Sequence, residues 1–281
     1  MPELPEVEIT ARLIGAAVAG VEVESVAVPG LNALKTFKPP IEELAGHPLT
    51  GIRRRGKLFV LDSGSGLSAV IHLMSAGRLQ LYGKRASAKD RTARILIRLA
   101  GGDELRLREF GTKQRAWARV MPTAEVEADE TLSALGPEAW PDPPDLAGLL
   151  DTTRPLYSEL RDQRVIAGIG RSWVDEILWS ARLSPFKRGA DLTAEEADRL
   201  RAATIARLGG AIEHYERELT LPLPDKLPLP LEVHRHAGEP CPRCGDTIQS
   251  VSFKEYEMCY CPRDQTDGRV LKDRRLSRLL K

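Results

Sequence analysis

The sequence lacks an excess of charge of either sign: 41 Lys and Arg stand against 40 Asp and Glu, a formal net charge of +1. Global charge therefore neither announces nor excludes a nucleic-acid partner, and only its distribution is informative. Long apolar runs are also missing, none approaching the roughly 18 residues a membrane span requires. The start, MPELPEVEIT, has neither the basic opening nor the apolar stretch of a signal peptide. A membrane protein is thereby set aside, and a soluble, cytoplasmic protein is expected. Cysteine is scarce: the four residues all fall between Cys241 and Cys261, which fits a local metal site better than a disulfide framework in such a compartment. No internal repeat is present.

What is there is enough for a sizeable core. The chain has 281 residues, 42% of them hydrophobic, which suits about two domains with a small extra module. Pro5 fits a first helical turn, Val7, Ala11, Ile14 and Val18 share a face, and Gly20 fits a stop, so a helix is predicted over 5–18. β-Patterned runs follow at 21–28, 52–61 (broken at Gly56), 69–73, 78–82, 95–99 and 104–110. In 94–99 the odd positions are apolar, the pattern of a half-buried strand with one wet face. Many short strands at this spacing imply an antiparallel sandwich or barrel.

Pro122, Pro137, Pro141, Pro143 and Pro144 mark 121–145 as a linker, after which the period becomes helical. Thr193 and Glu196 form a capping box that opens a helix extending toward Glu218. Pro222, Pro224, Pro228 and Pro230 then enforce an extended loop. The expected divisions are 1–121, 122–232 and 233–281.

Positive charge is concentrated in Arg53, Arg54, Arg55 and Lys57, and again in Arg269, Lys272, Arg274, Arg275, Arg278 and Lys281. Such clusters suit a polyanion or a solvated face equally. The strongest local signal is Cys241-Pro-Arg-Cys244, sixteen residues, then Cys261-Pro-Arg-Asp264. Two such pairs across a hairpin-length spacer are the pattern of a zinc ribbon. The fourth ligand is Asp264 or Cys259; a carboxylate can ligate zinc, and thiolate is the softer donor.

Several segments stand in one order: the PELPEVE start, Arg55-Gly56-Lys57, Arg108-Glu109-Phe110-Gly111, Leu135-Gly136-Pro137-Glu138, Asp162-Gln163-Arg164 through Gly168-Ile169-Gly170, Gly238-Glu239-Pro240-Cys241 and Tyr260-Cys261. With these the chain resembles the formamidopyrimidine-DNA glycosylase / endonuclease VIII family over nearly its whole length, on the formamidopyrimidine side. The resemblance implies an α+β architecture: an N-terminal helix and antiparallel β-sandwich, then a helical (helix–two-turn–helix) domain with a C-terminal zinc-ribbon hairpin. It also implies a base-excision-repair glycosylase with AP lyase activity, one structural zinc ion, and damaged double-stranded DNA as partner of a monomer.

The chemistry agrees with these implications. The α-amine of Pro2, exposed once Met1 is removed, is a secondary amine able to attack C1′ and form a Schiff base. A free α-amine titrates at about 7.7–8.0, which leaves a neutral fraction near pH 7. Glu3 can shuttle protons beside it, Glu6 would position the site, and Lys57 would bring positive charge to the lesion. Extruding a base requires a plug; Arg108 and Phe110 match the family's wedge, while its usual Met position falls on Ser75 with Met74 one place earlier. Gly168 and Gly170 open a helix whose amides are expected to grip phosphate.

Three departures fall on expected phosphate contacts. Arg171 stands where the family has Asn, Tyr157 where it has Lys, and Tyr256 where its zinc hairpin has Arg. The Pro-rich loop is shorter than in 8-oxoguanine-excising members and lacks their paired glycines. A relative that binds damaged DNA without excising bases is the alternative reading.

Overall fold

The computed structural model describes residues 1–87, 89–253 and 256–271. The tail cations Lys272, Arg274, Arg275, Arg278 and Lys281 lie outside the described residues, as does the Tyr256 side chain. Helix α1 (Leu4–Val18) starts at a capping box of two carboxylates, with Glu3 as N-cap and Glu6 at the third helical position. Its Leu4, Val7, Ile9, Ile14 and Val18 are buried. Gly15 lets it lie against a strand: a Cβ there would stand 3.3 Å from the Ile52 nitrogen. Gly20, at φ +80°, turns the chain away.

Among the described residues eight antiparallel strands follow: β1 (Val23–Ala27), β2 (Leu49–Arg55), β3 (Leu58–Ser63), β4 (Leu67–His72), β5 (Gly77–Tyr82), β6 (Ala93–Leu99), β7 (Glu104–Glu109) and β8 (Trp117–Pro122). They form two four-stranded sheets, ordered β1-β6-β7-β5 and β2-β3-β4-β8. This is the expected sandwich. One detail differs: β6 has no fully wet face. Arg94 is buried, its guanidinium donating to Gln114 Oε1 at 2.7 Å and to Asn32 Oδ1. Two partners from outside the strand meet the guanidinium, so alternation in the sequence no longer marks solvent.

The expected linker is partly ordered. Pro122 closes β8, a 3-10 turn spans Thr123–Ala128, and the short helix α2 (Glu130–Ser133) is capped by Asp129. Two more single turns follow, α3 (Leu146–Leu149) and α4 (Leu156–Glu159), and then α5 (Arg171–Ser180) and α6 (Ala194–Glu218). The Thr193/Glu196 box opens α6 as its sequence indicates, with bonds of 3.0 and 3.2 Å. The hairpin β9 (Gln249–Phe253) and β10 (Tyr256–Tyr260) and the turn α7 (Pro262–Gln265) complete the elements among the described residues. Among the described residues no helix is long and apolar enough to cross a membrane.

The chain packs as two units. One holds Met1–Ala134 together with Ile212–Pro228; the other holds Leu135–Ala211 and the chain from Leu229 onward. Ile212–Pro228 joins the first unit through the Tyr215 hydroxyl on Glu6, an Arg12–Glu216 ion pair and a Gln80 bond to the Leu223 carbonyl.

Candidate active site and metal centre

The capping box fixes the start of the chain. The Glu3 backbone N–H donates to Glu6 Oε2 at 2.7 Å, while Glu6 Oε1 accepts from the Tyr215 hydroxyl at 3.0 Å. Glu3 and Glu6 are 3% and 5% exposed. Pro2 is thus held next to two carboxylates that water hardly reaches. Burial, with Glu6 and Glu3 beside it, drives the Tyr215 phenol well above its ordinary range, so it stays a donor. Tyr215 lies more than 200 residues from Glu6, and no sequence signal marks it.

Lys57 sits at the Gly56-Lys57 turn between β2 and β3, with Gly56 at φ +56°, and is buried. The Arg cluster before it is largely neutralised. Arg53 pairs with Asp62 at 3.1 Å and Glu127 at 2.8 Å, and Arg54 with Glu8 at 2.7 Å. Across the sheet Leu58 pairs with His72. Burial, reinforced by the Lys57 ammonium, lowers His72 to about 4. Its Nδ1 accepts the Met74 N–H at 3.2 Å and lies 2.7 Å from the Met74 sulfur.

Met74 occupies the left-handed region at φ +50°, rare for a long side chain, in the tight turn before β5. Ser75 is exposed at that turn. The Phe110 N–H donates to the Ala76 carbonyl at 3.2 Å, so the turn and the end of β7 share one edge. Arg108 covers the Phe110 ring at 4.7 Å. Met74 thus lies two residues before Ala76, whose carbonyl meets Phe110, and Arg108 stacks on the Phe110 ring.

In the second unit, Gly168 is at φ +109° and its N–H is taken by Gln163 Oε1 at 3.0 Å. Its part is conformational: it turns the chain toward Gly170, the N-cap of α5, and exposed Arg171. Tyr157 is buried, and Arg161 lies 4.9 Å over its ring, bringing a cation to the neighbourhood where the family pattern has lysine.

Four donors form a metal-sized cluster. The ligand atoms of Cys241, Cys244, Cys261 and Asp264 all lie within 4.8 Å of one another. Cys244 and Cys261 sulfurs are 3.4 Å apart, and Cys241 Sγ lies 3.8 Å from Asp264 Oδ2. Tetrahedral zinc with bonds of about 2.3 Å places sulfurs about 3.8 Å apart, so the donor set fits one zinc ion. Arg243 donates to Asp264 Oδ2 at 3.3 Å and the Trp179 indole to Cys241 Sγ at 3.4 Å, offsetting negative charge. Burial pushes the Cys241 thiol up, but the Cys244 and Arg243 amides outweigh it and hold the thiol below its ordinary value. Cys259 is outside the cluster. It is buried beside Val233 and Ile248, and burial pushes its thiol up to about 11.

The family models for the formamidopyrimidine-DNA glycosylase N-terminal domain, its H2TH domain and the zinc finger found in FPG and IleRS match residues 1–113, 135–221 and 238–266. A formamidopyrimidine-DNA glycosylase of Moorella thermoacetica is 34% identical over 267 residues, covering 89% of this chain and 94% of that protein. A formamidopyrimidine-DNA glycosylase-like protein of Mycobacterium tuberculosis is 42% identical over 150 residues, 53% of this chain and 95% of its own length. Two solved Lactococcus lactis Fpg complexes are similar in fold at TM-score 0.83 and 25% identity. One is a mutant with a Fapy-dG containing DNA, the other contains an abasic site in its DNA, and each covers 94% of this chain and at least 99% of its own.

Proposed function

The chain belongs to the formamidopyrimidine-DNA glycosylase family of DNA-repair enzymes, and from that premise we propose that it excises oxidised bases from double-stranded DNA through Pro2 and then acts as an AP lyase. Removal of Met1 frees the Pro2 amine. Its lone pair forms a bond to C1′ as the C1′–base bond breaks, and the base leaves with the electron pair and takes up the proton that the new ammonium nitrogen gives up. Protonation of the sugar ring oxygen by Glu3 opens the ring to an iminium, and loss of a C2′ proton then eliminates the 3′ phosphate. The observation that carries this reading is the buried carboxylate box, in which Glu6 holds the Glu3 amide at 2.7 Å and so fixes the backbone on which Pro2 stands.

Other residues bind. Lys57 brings positive charge to the lesion, and Met74, Arg108 and Phe110 fill the gap left by the extruded base. The start of α5, with Gly170 and Arg171, meets phosphate, and Gly168 shapes the approach. Zinc, held by Cys241, Cys244, Cys261 and Asp264, ties the hairpin together and takes no part in the chemistry. The enzyme acts as a monomer in the cytoplasm.

Glu3→Gln tests this directly. It keeps the shape and removes the proton shuttle, which is worth about 10²–10⁴-fold in rate. Excision from an oxidised-purine duplex should fall by that order while affinity for the duplex stays within about twofold. Wild-type protein that binds the duplex yet neither excises a base nor forms a borohydride-trapped adduct would instead support a binding-only relative.

A further inference from the structure

The Arg108 guanidinium is enclosed by acceptors that a nucleic acid would have to replace. Its Nη1 donates to Tyr82 Oη at 2.6 Å, to Asp225 Oδ1 at 3.1 Å and to Gln80 Oε1 at 3.3 Å; its Nε donates to Thr92 Oγ1 at 2.9 Å. Gln80 and Tyr82 belong to β5, and Thr92 lies in the turn that leads into β6 of the same sheet. Asp225 comes from the Pro-rich loop after α6. That loop is fastened to the same sheet: Arg78 Nε donates to the Asp225 carbonyl, and Gln80 Nε2 donates to the Leu223 carbonyl at 3.0 Å and to Asp225 Oδ1 at 3.1 Å. Leu223 is buried, which anchors the segment.

Two carboxylates lie near Arg108, and they differ. Asp90 stands 3.7 Å from Nε, and its other oxygen is committed to the Thr92 amide and hydroxyl. Asp225 makes a direct hydrogen-bonded ion pair, with its side chain 58% exposed and that of Arg108 only 15%. A half-exposed carboxylate beside a DNA-contact arginine repels phosphate and neutralises the cation, so it weakens DNA binding unless the pair is broken. We propose that Asp225 is a positioning residue, a latch that parks Arg108 and is exchanged for DNA acceptors when the arginine enters a lesion. The latch sets the threshold at which a lesion is engaged. This inference rests on the DNA role proposed above for Arg108.

Asp225→Asn removes the charge and keeps an oxygen for Gln80 and Arg108, so the loop stays fastened. Affinity is read by fluorescence anisotropy on a duplex carrying a tetrahydrofuran abasic-site analogue, which the lyase reaction cannot consume. Asp225→Asn should tighten binding about two- to fivefold, the scale of one part-exposed ion pair. Arg108→Ala should weaken it, and adding Asp225→Asn to Arg108→Ala should then change nothing further. Unchanged or weaker binding by Asp225→Asn overturns the latch. So does equal tightening in the Arg108→Ala background, which would mark Asp225 as a general repulsive charge. If Arg108→Ala alone leaves affinity unchanged, the DNA role of Arg108 fails, and the latch with it, by a result distinct from the others.

Discussion

Single side chains in the first unit carry unusual demands because burial decides which of them hold charge. His72 accepts the Met74 amide, stacks on Trp117 with ring centroids 5.8 Å apart, and lies near the Lys57 ammonium. Burial first and Lys57 second lower it from 6.5 to about 4, so it is neutral at pH 7. The sign comes from linkage. Between pH 6.5 and 4 the unfolded chain binds a proton that the folded chain refuses, so stability is full above 6.5 and falls as the pH drops toward 4. His72→Asn keeps an acceptor for Met74 without this penalty. From pH 7.5 to 5 the wild type should lose about 2 kcal/mol more than the variant in denaturant titrations; equal losses would mean His72 is not held neutral. Pro2, Glu3 and Lys57 are legible only through the family pattern. His72 carries no local signal of its own, and neither do Tyr215 and Asp225, which act on Glu6 and Arg108 across long stretches of chain.

At the level of elements, local rules read well where the sequence uses their usual residues. Thr193 with Glu196 announces α6, and Gly20 the end of α1. The box at Glu3 and Glu6 escapes because a carboxylate replaces the usual hydroxyl at the N-cap. The wet face expected of β6 is lost because Gln114 and Asn32, distant in sequence, meet Arg94. In the hairpin the spacing marks three ligands and leaves the fourth open between Asp264 and Cys259. Geometry favours Asp264, which meets the three sulfurs, whereas Cys259 is not among the clustered donors. Purified protein should therefore carry about one zinc per chain. By metal analysis after dialysis against a chelator, Asp264→Ala should lose it faster than wild type while Cys259→Ser retains it. Greater loss from Cys259→Ser would move the fourth ligand.

For the whole molecule, composition and strand spacing indicate the sandwich, and the helical period indicates the helices beyond it. The assignment of Ile212–Pro228 to the first unit is not legible, since it depends on Tyr215, Glu216 and Leu223 meeting α1 and β5 rather than on any local preference. That placement brings to one unit the carboxylate box, the Lys57 turn, Met74, Arg108 and Phe110, and the loop bearing Asp225. The central claim is that the amine at Pro2, and not the buried ammonium of Lys57, bonds to the sugar. Lys57 would need a strongly lowered pKa to serve as nucleophile, whereas a secondary α-amine does not. Protein with confirmed Met1 removal is reacted with an abasic-site duplex in borohydride, digested, and mapped by mass spectrometry. The sugar should sit on the peptide that begins at Pro2; an adduct on the Lys57 peptide, or none at all, would contradict the mechanism.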